Sequence, residues 1–141
     1  MKRVCDNLTL KELIVDKGTL RYSPKLLGAS SSKWWCIIDT DPELGKYYRH
    51  LFYLQSYRCN KLIRPSWESH ITVVRDEEPP NKLLWEKNNG LELDFEIIGT
   101  VETNEDYYWF PVKCQFALDL RTELGLGEPL YPLHVSFGRQ Q

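Results

Sequence analysis

The sequence predicts an α+β fold, a single domain over residues 1–141 in which curved, mainly antiparallel sheets carry helices on their outer faces. Three observations lead there. Short β-branched and aromatic runs predominate, and Leu91-Glu92-Leu93-Asp94-Phe95-Glu96-Ile97 alternates apolar with acidic, as a half-buried antiparallel strand does. Two longer segments have the i, i+3, i+4 spacing of amphipathic helices. Finally, the order strand, helix, loop, strand occurs once in each half, which predicts two lobes related by an approximate twofold axis.

Taken in order, Gly18 to Tyr22 reads as a strand, and the apolar run from Trp34 to Asp39 as the next. That run leads into Thr40-Asp41-Pro42-Glu43. Thr40 or Asp41 can cap a helix there, Pro42 suits its first turn, and Glu43 completes a capping box with Thr40. The helix extends from about Pro42 to Gln55, with Leu44, Tyr47, Tyr48, Leu51 and Phe52 as its apolar stripe. A basic loop, Tyr57 to Pro65, precedes a strand at Ile71 to Val74 headed by His70, and Asp76 to Pro80 turns the chain. Asn81 to Glu86 reads as a short helix. In the second half Tyr107 to Val112 is an aromatic strand, and Gln115 to Leu124 a helix with Phe116, Leu120 and Leu124 on one face. Gly125 supplies its left-handed cap, and Pro129 and Pro132 introduce the last strand, Val135 to Phe137.

Within this frame the tripeptide His70-Ile71-Thr72 recurs as His134-Val135-Ser136, each followed by a hydrophobic residue. On a strand, positions i and i+2 share one face. His70 and Thr72 therefore project together, as do His134 and Ser136, while Ile71, Val73, Val135 and Phe137 enter the opposite, packed layer. One such tripeptide is ordinarily structural, its imidazole satisfied by a nearby hydroxyl or carbonyl. Here two of only three histidines fall in the same pattern, one in each half. His50 lies off the apolar stripe of its helix and reads as a solvated side chain.

Cleaving a phosphodiester requires a proton taken from the attacking oxygen and one delivered to the leaving oxygen. Histidine titrates near neutrality, at about pH 6.5, so one imidazole can serve as neutral base while the other serves as charged acid. Thr72 and Ser136 can donate hydrogen bonds to the non-bridging oxygens, where negative charge develops. The two motifs are nearly equivalent, and either histidine can be the base.

The doublet, over residues 70–74 and 134–138, resembles the 2H phosphoesterase superfamily, which is named for two His-x-Ser/Thr motifs. The order of elements over residues 18–138 adds to the resemblance. The stretch Trp34-Trp35-Cys36-Ile37-Ile38-Asp39-Thr40-Asp41-Pro42 before a helix is similar to a compact phage branch described as RNA-repair-like. The resemblance implies a bilobal, pseudo-twofold 2H-like fold, with His70 and His134 as the catalytic pair and Thr72 and Ser136 as phosphate-holding hydroxyls. The superfamily includes RNA 2′,3′-cyclic phosphodiesterases and viral enzymes that destroy cyclic nucleotide messengers.

Composition narrows the substrate. Eighteen Lys and Arg against twenty Asp and Glu leave a formal charge of −2, without the broad basic footprint of a long nucleic-acid binder. A small nucleotide, a 2′,3′-cyclic phosphate or a cyclic oligonucleotide fits better. RNA-end processing and a non-catalytic nucleotide-binding module are the alternatives. Aromatic residues make up 13% of the chain, and Tyr22, Trp35 and Trp109, each on a strand able to flank a histidine strand, are the candidates to stack a base. No Gly-rich phosphate loop, Gly-x-Ser-x-Gly elbow or metal-ligand spacing occurs, so the expected chemistry needs no metal or cofactor. Cys5, Cys36, Cys59 and Cys114 match neither a zinc nor a disulfide framework and read as reduced thiols, with Cys36 and Cys114 buried. After Met1-Lys2-Arg3 the chain turns polar, with no apolar stretch suited to a signal peptide or membrane span, which predicts a cytoplasmic protein, in the host cytoplasm if viral.

Overall fold

The computed structural model describes residues 14–22, 34–58, 61–65 and 69–140. Its elements run in the order β1 (Ile14–Tyr22), β2 (Trp35–Thr40), α1 (Pro42–Gln55), β3 (His70–Arg75), β4 (Glu92–Ile97), β5 (Glu102–Thr103), β6 (Tyr107–Lys113), α2 (Gln115–Glu123) and β7 (His134–Arg139). The α+β class and the antiparallel pairing are as the sequence predicts. The sheet, however, is closed. Its strand order is β4-β1-β2-β3-β7-β6-β5, and β4 pairs a second time with β6, which completes a six-strand antiparallel barrel. Both β4 and β5 use the edge of β6 away from β7. β4 takes Val112 and Lys113, and β5 takes Tyr108 and Trp109.

Outward from the contact between β3 and β7, the strands are β3, β2, β1 on one side and β7, β6, β4 on the other. Each half contains an antiparallel strand–helix–strand unit, β2-α1-β3 or β6-α2-β7. Alternation divides each strand between two faces. Ile71, Val73, Val135, Phe137, Phe110, Ile38, Phe95 and Ile97 join one apolar core. α1 packs on that core, with Tyr48 edge-on to Phe110 at 5.0 Å and Phe52 against Tyr108 at 5.2 Å.

Several local expectations are corrected. Asp41 alone caps α1, accepting from the Glu43 N–H at 2.9 Å. Thr40 is still strand, paired with Gly18, and its hydroxyl donates to the Ser69 carbonyl at 2.8 Å, so the capping box with Thr40 does not form. Tyr47 is exposed, and the buried side of α1 is Leu44, Gly45, Tyr48 and Phe52. In α2, Phe116 is exposed and the buried side is Ala117, Leu120 and Arg121, continued by Leu124. Between Asn81 and Glu86 only a 3₁₀ turn forms, Lys82–Leu84. Gly125 has φ +85°, the left-handed cap that the sequence predicts, and the Leu126 N–H closes on the Arg121 carbonyl at 2.8 Å. Among the described residues no helix is long and apolar enough to cross a membrane.

Candidate functional site

The two histidine strands meet through a single residue pair, Ile71 opposite Val135, each the residue directly after its histidine. Counting along antiparallel strands from that pair sets His70 across from Ser136 and His134 across from Thr72. The strands have the same burial sequence over their first five residues. Positions one and three, His70 and Thr72 or His134 and Ser136, are half-buried, and positions two, four and five are buried. All four predicted side chains line one cleft of about 680 Å³, with Pro65, Arg75, Tyr107, Arg121 and the segment Pro129-Leu130-Tyr131-Pro132 among its other walls.

Local structure holds each histidine differently. His70 follows Ser69, whose carbonyl accepts from both the hydroxyl and the N–H of Thr40, so the start of β3 is tied to the end of β2. Across β2 its partner is Asp39, whose carboxylate is paired with Arg21 at 2.7 Å. His134 has Nδ1 3.0 Å from the Pro132 carbonyl. A carbonyl only accepts, so Nδ1 carries the proton and Nε2 is the nitrogen left for exchange with a substrate. The Trp109 ring lies 5.8 Å from the His134 ring, tilted by 55°, and Trp109 is paired with Ser136 across β6 and β7. Its indole N–H donates to Glu102 at 3.0 Å.

Each histidine strand carries a β-bulge at the fourth position of its motif. Cys36 pairs with Val74 and Ile37 with Thr72, leaving Val73 as the extra residue in β3. Tyr108 pairs with Gly138 and Trp109 with Ser136, leaving Phe137 as the extra residue in β7. A bulge shifts the alternation by one residue. The sixth position, Arg75 or Arg139, is thereby turned to the face that carries the histidine and the hydroxyl. The two bulged carbonyls are taken by arginines from helices. Arg121 of α2 donates through Nη1 to Val73 at 2.9 Å, and Arg49 of α1 donates through Nη1 to Phe137, also at 2.9 Å.

Arg121 does more than this. Although 2% exposed, its guanidinium also binds the Glu77 carboxylate at 2.6 and 2.8 Å, and the carbonyls of Gly127 and Glu128 at 2.9 and 3.3 Å. These hydrogen bonds hold the Glu77 carboxyl below the usual carboxylate range. They also fasten the residues preceding the Pro129–Pro132 wall, whose last carbonyl orients His134.

The structure brings together His70, Thr72, His134 and Ser136, with Trp109 beside them. It does not bring Tyr22 or Trp35 to the cleft surface. Tyr22 is 5% exposed and packs edge-on against Trp85, while Trp35 is 2% exposed and lies beneath the Arg75 guanidinium, 5.0 Å from its ring centre. Neither has a free face on which to stack a base. Sequence reasoning missed Arg75, Arg121 and Tyr131. A signal for the first was present, because both motifs continue to an arginine at the sixth position, His70 to Arg75 and His134 to Arg139.

Cys36 and Cys114 are buried, as expected, and burial pushes the Cys36 thiol up to about 12. Such a thiol is a poor nucleophile at neutral pH. Cys5 and Cys59 lie outside the described residues. Among the described residues no three His, Cys, Asp or Glu side chains are grouped as metal ligands. Compared with protein families, with curated proteins and with solved structures, the chain has no match.

Proposed function

We propose that the cleft is the active site of a phosphodiesterase of the 2H type, in which His70 and His134 act as general acid and general base on a small nucleotide without a metal. The observation that carries this reading is the crossing at Ile71 and Val135, around which two imidazoles and two hydroxyls line one cleft. A phosphoryl group above that crossing has an imidazole on either side and a hydroxyl donor beside each, an arrangement suited to in-line displacement. His134, with Nδ1–H held by Pro132, presents Nε2 to one of the two reacting oxygens. The bilobal, pseudo-twofold 2H arrangement belongs to the same reading, and the barrel's matched halves and matched bulges support it.

The weak net charge and the modest cleft favour a small nucleotide, with a 2′,3′-cyclic phosphate or a cyclic oligonucleotide as the reacting group. Incubation with 2′,3′-cyclic mononucleotides, cyclic dinucleotides and RNA with 2′,3′-cyclic ends, all in excess EDTA, tests it. Consumption of a small cyclic phosphodiester is expected, with a bell-shaped pH–rate profile whose limbs belong to the pair of histidines. Binding without consumption would make the domain a nucleotide-binding module. Turnover confined to RNA ends would make it an end-processing enzyme.

A further inference from the structure

We propose that Arg75 forms a second anion subsite in the cleft, binding a phosphate of the substrate other than the one being cleaved, and so makes the substrate bind in a single direction. The inference rests on the phosphodiesterase reading of the cleft. Two corresponding histidine–hydroxyl pairs alone would accept a phosphodiester equally well in either orientation. The arginines at the sixth position of each motif remove that equivalence. Arg139 donates through Nε to the Arg64 carbonyl at 3.1 Å, and its backbone is bonded to Ile63. The Arg75 guanidinium carbon instead lies over the buried Trp35 ring, 5.0 Å from its centre, the side chain lines the cleft, and among the described residues no carboxylate or carbonyl is hydrogen-bonded to its guanidinium.

A cation–π contact with an indole restrains a guanidinium without using its N–H donors, which can grip phosphate through two parallel hydrogen bonds. The bulge at Val73 is what turns this side chain to the cleft face. Of the other charged groups in the lining, Arg121 and Glu77 neutralise each other, and Asp76 follows Arg75 at the strand end. Arg75 lies beyond Thr72 on β3, the side of the crossing on which β7 begins, so the second phosphate belongs at the His134 end of the cleft.

Calorimetric titration of the wild-type protein, R75Q, R75K and R139K with adenosine 3′,5′-bisphosphate and adenosine 5′-monophosphate tests the subsite. The wild type should prefer the bisphosphate by about 10-fold, the scale of a charge-assisted hydrogen bond. R75Q should lose that preference with monophosphate binding unchanged, R75K should keep part of it, and R139K should keep all of it. No preference in the wild type, no binding of either ligand, a preference that survives R75Q, or its loss in R139K would overturn the proposal. If the Arg75-dependent preference is seen while no phosphodiester is consumed, the subsite stands and the phosphodiesterase reading falls. Turnover without the preference leaves the phosphodiesterase reading standing and removes the subsite.

Discussion

β3 and β7 are built on one six-residue plan, and the places where they diverge separate what the proposed chemistry requires from what would suit a particular substrate. Both begin with a half-buried histidine, place a hydroxyl two residues on, bulge at the fourth position and end in arginine. Both have their bulged carbonyl taken by an arginine from the helix of the other half. They differ in the surroundings. β7 has Trp109 beside its histidine and a tethered terminal arginine, whereas β3 has an arginine held over a buried tryptophan and lining the cleft. The shared features position the proposed acid and base, and the unshared ones give the cleft two unlike ends.

The largest effects should fall on the shared features. H70A and H134A should each slow turnover of a cyclic phosphodiester by at least about 100-fold while circular dichroism and thermal unfolding remain those of a folded protein. A folded variant of either with near-wild-type activity would break the equivalence of the two strands. Next come the helix arginines. R121M removes five hydrogen bonds from a buried guanidinium and should cost about 2–4 kcal/mol in urea unfolding, whereas R49M, which removes the bond to the Phe137 carbonyl among the interactions of a less buried guanidinium, should cost less. Equal costs would show that the bulges, rather than the Glu77 pair, dominate.

The Glu77 pair adds a pH signature. Its folded-state carboxyl is held below its usual range, so the stabilisation is present at neutral pH and is lost as pH falls from about 4.5, the ordinary carboxylate value, through the depressed one. In R121M that part of the acid slope should vanish.

T72A and S136A should each lose about 10-fold in kcat, less than the histidine variants, since each hydroxyl is one of several donors to the phosphate. Full activity in the double variant would remove both hydroxyls from the chemistry. The smallest effect should come from W109L, a few-fold weakening of purine nucleotides at unchanged kcat for a minimal phosphodiester, on the scale of a single stacked base. W35L should instead lower stability, because Trp35 is in the interior and supports Arg75. Equal losses of binding in the two variants would erase the distinction between the cleft's two ends.

Much of this organisation is legible in the sequence. Alternation alone separates His70 and Thr72 from Ile71, and recurrence of the motif identifies the pair that comes to share a cleft. The bulges are not legible, since the insertion of one residue into a ladder depends on the neighbouring strand's register. Strict alternation assigns Val74 to the face of His70 and Arg75 to the core, and the bulge reverses both. Arg121 is hidden by the same kind of assignment. An arginine two residues before a helix end reads as a solvated cation near the dipole's negative pole, and only the Val73 carbonyl and Glu77, brought in from the other half, make it interior. Trp35 and Trp109 look alike as aromatic strand residues, and which of them is covered depends on packing remote in the chain. Closure of the barrel likewise depends on β4 reaching Val112 and Lys113 of β6, a contact without a local signature.

The exchange of arginines between halves also bears on the order in which the molecule can be assembled. The bulge of β3 is 48 positions from the arginine that takes its carbonyl, and the bulge of β7 is 88 from its own. During synthesis the first histidine strand therefore emerges well before the residue that secures it, and the second strand closes back onto a helix made long before. Contacts so distant in sequence form late. A nascent chain carrying His70 has only part of the cleft until β7 has left the ribosome.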